Sequence, residues 1–310
     1  MKLKKKILIL GGTGFVGSNI LKYAIKKNFS LVSVSKSRKS NIKIKFKKNV
    51  VFLNLDLTYK KNLIKLFDKY QFDYIINASG YVENSKNKKI IKEHYILIKN
   101  LVDVLKNKKI KSFIQLSSGL EYGNYPPPHF ENIVCKPRSL YAKSKNNSTK
   151  LLINAFRHNR LPVNVLRLYQ VYGPHQENNR IIPFIINASI QNKSFPCSEG
   201  KQKRDFLYID DLINLIDLIF KSNIKGEVFN VGFGRSYSLK KVINLVVKYL
   251  KKGEPKFGKI KLRKDEIMDS YPNINKAKKL LNWHPKFSLI RGMIKTIKFY
   301  KKNSKWKKKF

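Results

Sequence analysis

The sequence predicts an α/β protein built on a doubly wound parallel sheet, with a smaller discontinuous C-terminal domain. Two observations carry this. Short apolar runs at residues 7–10, 31–34, 51–55, 74–76, 112–116 and 163–168 alternate with helix-length stretches, and parallel strands joined by helices make right-handed crossovers. A glycine-rich turn separates the first run from a helical pattern in Ile20, Leu21, Ala24 and Ile25. Phe229-Asn230-Val231 is expected to return to the sheet as a further strand.

The turn reads Gly11-Gly12-Thr13-Gly14-Phe15-Val16-Gly17. Gly12, Gly14 and Gly17 fit the Rossmann dinucleotide fingerprint, in which absent side chains let the turn close, let a pyrophosphate approach backbone N–H groups, and let the helix pack on the strand. Asp56 and Leu57 follow the third run, and Ala78, Ser79 and Gly80 follow the fourth. Ligands in such sheets lie beyond the carboxyl ends of the strands, so these residues, the glycine turn and Ser118 are expected to line one crevice.

Tyr141-Ala142-Lys143-Ser144-Lys145 sets a phenol and an ammonium four residues apart, on one helix face. A phenol of pKa about 10 is a poor acid/base at neutral pH, and a nearby cation lowers that value. Ser117 and Ser118 end the fifth apolar run shortly before Tyr122-Gly123.

Taken together, the glycine turn, Asp56, Asn77-Ala78-Ser79-Gly80, the Ser-Ser pair before Tyr-Gly, and Tyr-x-x-x-Lys resemble the extended short-chain dehydrogenase/reductases that act on nucleotide sugars. Leu166 to Pro174, Arg204 to Asp211, Phe229 to Gly232 and Leu281 to Pro285 extend the likeness over the whole chain. The resemblance implies hydride exchange between a sugar carbon, usually C4, and a nicotinamide. Tyr141 would move the proton of the same oxygen that Ser118 holds. Lys145 would lower the Tyr141 pKa and hold the nicotinamide ribose. Ser117, Gln170 and Arg180 fall on the substrate side, and Arg204 and Arg263 match positions that grip the nucleotide diphosphate, a task suited to bidentate guanidinium contacts. Gln170 stands where relatives commonly have Asn, and His94 falls near another such position. Dehydratases of the family carry an acid one or two residues after the catalytic Ser/Thr, where this chain has Gly119 and Leu120. Glu121 comes one residue later, so 4,6-dehydration ranks last.

The cofactor expectation is NADP, with NAD as the alternative. An acidic residue at the end of the second strand would bind the ribose 2′-OH of NAD. This chain places Ser35, Lys36 and Arg38 there, which suits a 2′-phosphate.

The net charge of +47 invites a nucleic-acid reading, but the excess is nearly all lysine, with ten arginines among 66 basic residues, spread over every segment. No specific nucleic-acid partner is expected. The apolar stretch at residues 7–10 is too short to export or span a membrane. Cys135 and Cys197 form no metal-ligand or disulfide pattern, so no metal and a reducing cytoplasm are expected. A homodimer is a possible assembly. Residues 1–173 with about 206–233 are read as the dinucleotide-binding unit, and about 174–205 with 234–310 as the nucleotide-sugar unit. The leading functional reading is reduction of a 4-keto-6-deoxy nucleotide sugar at C4. The alternative is nucleotide-sugar 4-epimerisation, and the third is a non-enzymatic RNA-binding protein.

Overall fold

The structure is a computed structural model that describes residues 5–36, 49–80, 89–263 and 266–307. Its centre is a parallel sheet of seven strands. In chain order these are β1 (Lys6–Leu10), β2 (Ser30–Ser35), β3 (Val50–Asn54), β4 (Tyr74–Asn77), β5 (Ser112–Ser118), β6 (Val163–Leu168) and, after β7 (Gln170–Tyr172), β8 (Ser194–Pro196) and β9 (Lys203–Tyr208), the returning β10 (Val228–Val231). The sheet order is β10-β6-β5-β4-β1-β2-β3. The six strands expected from the apolar runs are all present, and residues 229–231 do return, beside β6.

The apolar runs of the central strands follow from burial on both faces. Successive residues point to opposite sides. Ile7 and Ile9 enter one core with the helix α1 (Phe15–Lys26), and Leu8 and Leu10 enter the other with α2 (Lys60–Lys69) and, after the short α3 (Lys89–Ile91), with α4 (Leu97–Leu105). At the edge, β3 leaves Val51 and Phe52 exposed. From β1 the chain moves outward to β2 and β3, then crosses to β4 on the opposite side of β1. The strand order reverses there. Gly11 and Ala78 to Gly80 follow the two strands flanking this switch point, the place where open α/β sheets form a ligand crevice.

A smaller unit lies beyond β6. Strands β11 (Ser236–Ser238), β9 and β13 (Asp269–Ser270) form one sheet, with β7 also paired to β9. Strand β8 pairs with β12 (Glu254–Lys256). Helices at Ile181–Ile190, Leu239–Leu250 and Leu289–Lys307 pack together beside these strands. Among the described residues, no helix is long and apolar enough to cross a membrane, and no three His, Cys, Asp or Glu side chains cluster to hold a metal.

Candidate active site

The glycine turn closes because three positions lack a side chain. Gly11 has φ +76°, and a Cβ there would lie 2.7 Å from the Cα of Ser79. A Cβ at Gly12 would overlap the Ser33 hydroxyl, and one at Gly17 would overlap the Gly11 carbonyl oxygen. Gly14 caps α1 in an extended conformation, without a side-chain cap and without an acid in the first turn. The first N–H groups of α1 therefore face the crevice with the positive end of the helix dipole. A cradle of bare backbone at a helix N-terminus fits a dinucleotide pyrophosphate. Thr13, Phe15 and Val16 belong to the same turn, and the Thr13 amide reaches the Ser35 hydroxyl at 3.4 Å.

At the outer end of the crevice, the Asp56 carboxylate accepts from the Thr58 amide (2.9 Å) and hydroxyl (2.6 Å). Lys36 Nζ lies 3.3 Å from Asp56 and 3.0 Å from Glu93. Burial opposes ionisation of Asp56, but the Thr58 hydrogen bonds and the Lys36 charge outweigh it and hold the carboxyl below its ordinary range. Lys36 was read as a partner for a 2′-phosphate, yet it already faces two carboxylates, one of them 57 residues away in sequence. Arg38 lies outside the described residues. Leu57 is buried beside Asp56, and Ser79 is held by the Asn77 side chain, which accepts from its amide at 3.0 Å.

The structure brings Ser118, Tyr141 and Lys145 together. The helix α5 (Leu140–Asn159) starts at Ser139, whose hydroxyl accepts from the Ala142 amide at 3.1 Å, and so Tyr141 sits in the first turn. The Tyr141 phenol lies beside Ser118, whose hydroxyl favours its ionised form. Lys145 is buried, its Nζ 5.9 Å from the Tyr141 ring and 2.9 Å from the Leu116 carbonyl oxygen to which it donates. The expected lowering of the Tyr141 pKa is not what this geometry yields. Burial pushes it up to about 12, with the Glu121 charge acting in the same direction and the Ser118 hydroxyl and Arg180 opposing. Lys145 makes its hydrogen bond to the main chain rather than to the phenol, so the phenol stays protonated. Burial brings Lys145 itself down to about 8 against the pull of Glu121.

His94 is buried in a π-helical turn, Lys92–Ile96. Its ring meets the Tyr141 ring edge-on at 5.0 Å, and a Cβ at Gly80 would overlap it. Gly80 can adopt φ +126° and leave that space. Such π turns are frequent at functional sites.

The substrate-side residues divide into near and far. Arg180, the residue before Ile181–Ile190, acts electrostatically on Tyr141. Ser117 faces away, donating to the buried Glu121. Gln170 is exposed at the start of β7. Arg204 lies on β9, paired with Glu266 and donating to the carbonyl of Ile267 at 2.6 Å. Arg263 is exposed, and its charge is felt by Arg204. Sequence spacing did not single out Asp205. It is fully buried and accepts the amides of Phe233, Gly234 and Arg235 at 2.7, 2.7 and 3.1 Å.

The bare-backbone cradle thus follows β1 at the N-terminus of α1, and the Ser118, Tyr141 and Lys145 cluster lies at the end of β5. The chain belongs to the NAD dependent epimerase/dehydratase family, whose model matches residues 7–232, and it is an enzyme of that family. A dTDP-D-glucose 4,6-dehydratase from Dictyostelium discoideum is 31% identical over 276 residues, a match spanning 78% of this chain and 62% of that protein. The CDP-abequose synthase of Salmonella muenchen is 28% identical over 312 residues, covering 96% of this chain and 98% of the relative. The UDP-glucuronic acid 4-epimerase of Bacillus cereus, solved in complex with UDP-glucuronic acid and NAD, superposes with a TM-score of 0.86 at 25% identity, covering 96% of this chain and 99% of that one.

Proposed function

We propose that this enzyme reduces a 4-keto-6-deoxy nucleotide sugar at C4, with NADP as the cofactor. The observation that carries the reading is Tyr141: placed beside Ser118, backed by Lys145, and held as a neutral phenol by burial. A carbonyl that accepts hydride at carbon needs a proton at oxygen, and a positioned phenol supplies it. Ser118 holds the same oxygen as the proton moves, and Lys145 fixes the helix face against β5. Arg204 and Arg263 are assigned to the nucleotide diphosphate, and Arg180 and Gln170 to the substrate side; Ser117, read from the sequence as a substrate contact, is instead taken up by the buried Glu121. Gly11 to Gly17, Asp56, Leu57 and Ala78 to Gly80 are assigned to the dinucleotide, which supplies the hydride when bound. The likeness to CDP-abequose synthase over nearly the full length supports a synthetic role on a nucleotide sugar.

Gly119 and Leu120 place no acid next to Ser118, and Glu121 is turned inward to Arg167 at 3.0 Å, which argues against dehydration. Absence of an acidic residue at the end of β2 supports NADP. The second reading is 4-epimerisation with NAD. It is favoured by the likeness to the UDP-glucuronic acid 4-epimerase and by the pairing of Lys36 with carboxylates. Assembly of Ser118, Tyr141 and Lys145 at one place argues against a purely RNA-binding protein.

The test is absorbance at the reduced-nicotinamide band with NADPH or NADH over a panel of 4-keto-6-deoxy sugars linked to UDP, dTDP, CDP or GDP. One mole of reduced cofactor consumed per mole of product is expected for at least one of them. Inversion at C4 of a nucleotide hexose with no net cofactor consumption would replace the reductase by the epimerase.

A further inference from the structure

Strand β5 ends at Ser118, whose hydroxyl accepts from the Leu120 amide at 3.2 Å and caps a single 3₁₀ turn, Gly119–Tyr122. That turn carries Glu121 back beneath the strand end, where none of its surface is exposed. One carboxylate oxygen accepts from the Ser117 hydroxyl and from the Thr149 hydroxyl at 3.0 Å. The other accepts from Arg167 Nε at 3.0 Å. One side chain thus joins β5, α5 and β6.

The placement is specific with respect to the reacting cluster. Neighbouring strand residues face opposite sides, so Ser117 turns to Glu121 while Ser118 turns to Tyr141. On α5, Tyr141, Lys145 and Thr149 recur every fourth residue and form one stripe. Glu121 therefore holds the residue beside Ser118 and the last member of the stripe that carries Tyr141 and Lys145.

We propose that Glu121 is the positioning residue of the Ser118, Tyr141 and Lys145 set, tethering the strand of the first to the helix of the other two and holding a buried negative charge behind them. The inference rests on Tyr141 acting as the acid/base. A charge fixed in a low-dielectric interior acts strongly on its neighbours. This one favours the ammonium at Lys145 and the neutral phenol at Tyr141, the protonation pattern that donates to a carbonyl. The other groups facing Tyr141 are Ser118, the edge of His94 and the charge of Arg180, and Lys145 also meets the Leu116 carbonyl.

The experiment places a trifluorotyrosine at position 141 of the full chain, so that its lowered phenol pKa brings the midpoint into the range where the protein is folded, and follows the ¹⁹F resonance against pH. Glu121→Gln is expected to lower the midpoint by about one pH unit, the size of a typical effect of a nearby charge. Thr149→Val, which keeps the charge and loses one tether, should leave it in place. If Glu121→Gln does not fold because Arg167 is left as an unpaired buried cation, the combined Glu121→Gln and Arg167→Met variant is titrated instead. An unmoved midpoint in a folded Glu121 variant overturns the proposal, as does an equal displacement in Thr149→Val. The titration needs no substrate, so its outcome is separate from that of the keto-sugar screen.

Discussion

Lys145 donates to the main-chain oxygen of Leu116 at 2.9 Å, so the ammonium of α5 is fastened to the strand that ends in Ser118. The bond sets the distance between helix and strand and leaves the Tyr141 phenol to Ser118. It also buries the ammonium, and burial brings its pKa down to about 8. The two titrating groups of the cluster are thereby separated, since Tyr141 is pushed up to about 12. In the alkaline range Lys145 loses its proton first.

The pH profile of kcat/KM should accordingly show an alkaline limb with a midpoint near 8, reporting loss of the Lys145 ammonium. Lys145→Met should lower turnover and remove that limb. A profile flat to pH 10 in the wild type would show that the ammonium plays no part in turnover.

Tyr141→Phe removes the proton donor while keeping the ring that His94 contacts. Turnover should fall by about 10²–10⁴-fold, the usual range for a lost general acid. Dinucleotide binding and thermal stability should stay close to wild type. Turnover within a few-fold of wild type would remove Tyr141 from the proton transfer.

Cofactor preference depends on how far Lys36 is occupied by carboxylates. Glu93→Gln removes one of its two anionic partners and should raise NADPH affinity over NADH by roughly two- to five-fold, the strength of a half-exposed ion pair. Titration of both cofactors into wild type and variant decides it. Tighter NADH binding in both proteins would shift the assignment to an NAD-dependent epimerase.

The sheet was legible because its inner strands are buried on both faces, which forces the near-continuous apolar runs at residues 7–10 and 74–76. The cofactor turn was legible because backbone approach at Gly11, Gly12 and Gly17 admits no side chain. Contacts between distant segments were not. Lys36 and Glu93, 57 residues apart, meet through a π-helical turn at residues 92–96 that no spacing in the sequence announces. The inward swing of Glu121 depends on a 3₁₀ turn that spacing from Ser118 does not specify. The raised Tyr141 pKa reflects burial, which no i to i+4 pattern records. Arg204 was legible as a scarce arginine, but its partner Glu266 was not, and neither was the adjoining Asp205 carboxylate that orders residues 233–235.

Asp205 supplies a stability prediction whose sign follows from linkage. Burial raises its pKa to about 7, against three backbone amides that favour the ionised form. In the unfolded chain the value is about 3.9. Between these limits the native state binds one more proton than the unfolded state, so the stability this group contributes is complete below about pH 4 and is lost as pH rises through 7. The full difference is on the order of 4 kcal/mol. Asp205→Asn cannot titrate and accepts fewer of the three amides, so it should be less stable than wild type at pH 5 by about 1–3 kcal/mol or more. The gap should narrow by pH 8, because only the wild type bears the buried charge there. Urea unfolding of both proteins at the two pH values reads the gap directly. An equal gap at both would mean that the amides of Phe233, Gly234 and Arg235 keep Asp205 ionised throughout, and the carboxylate would then be an ordinary anionic cap on the loop after β10.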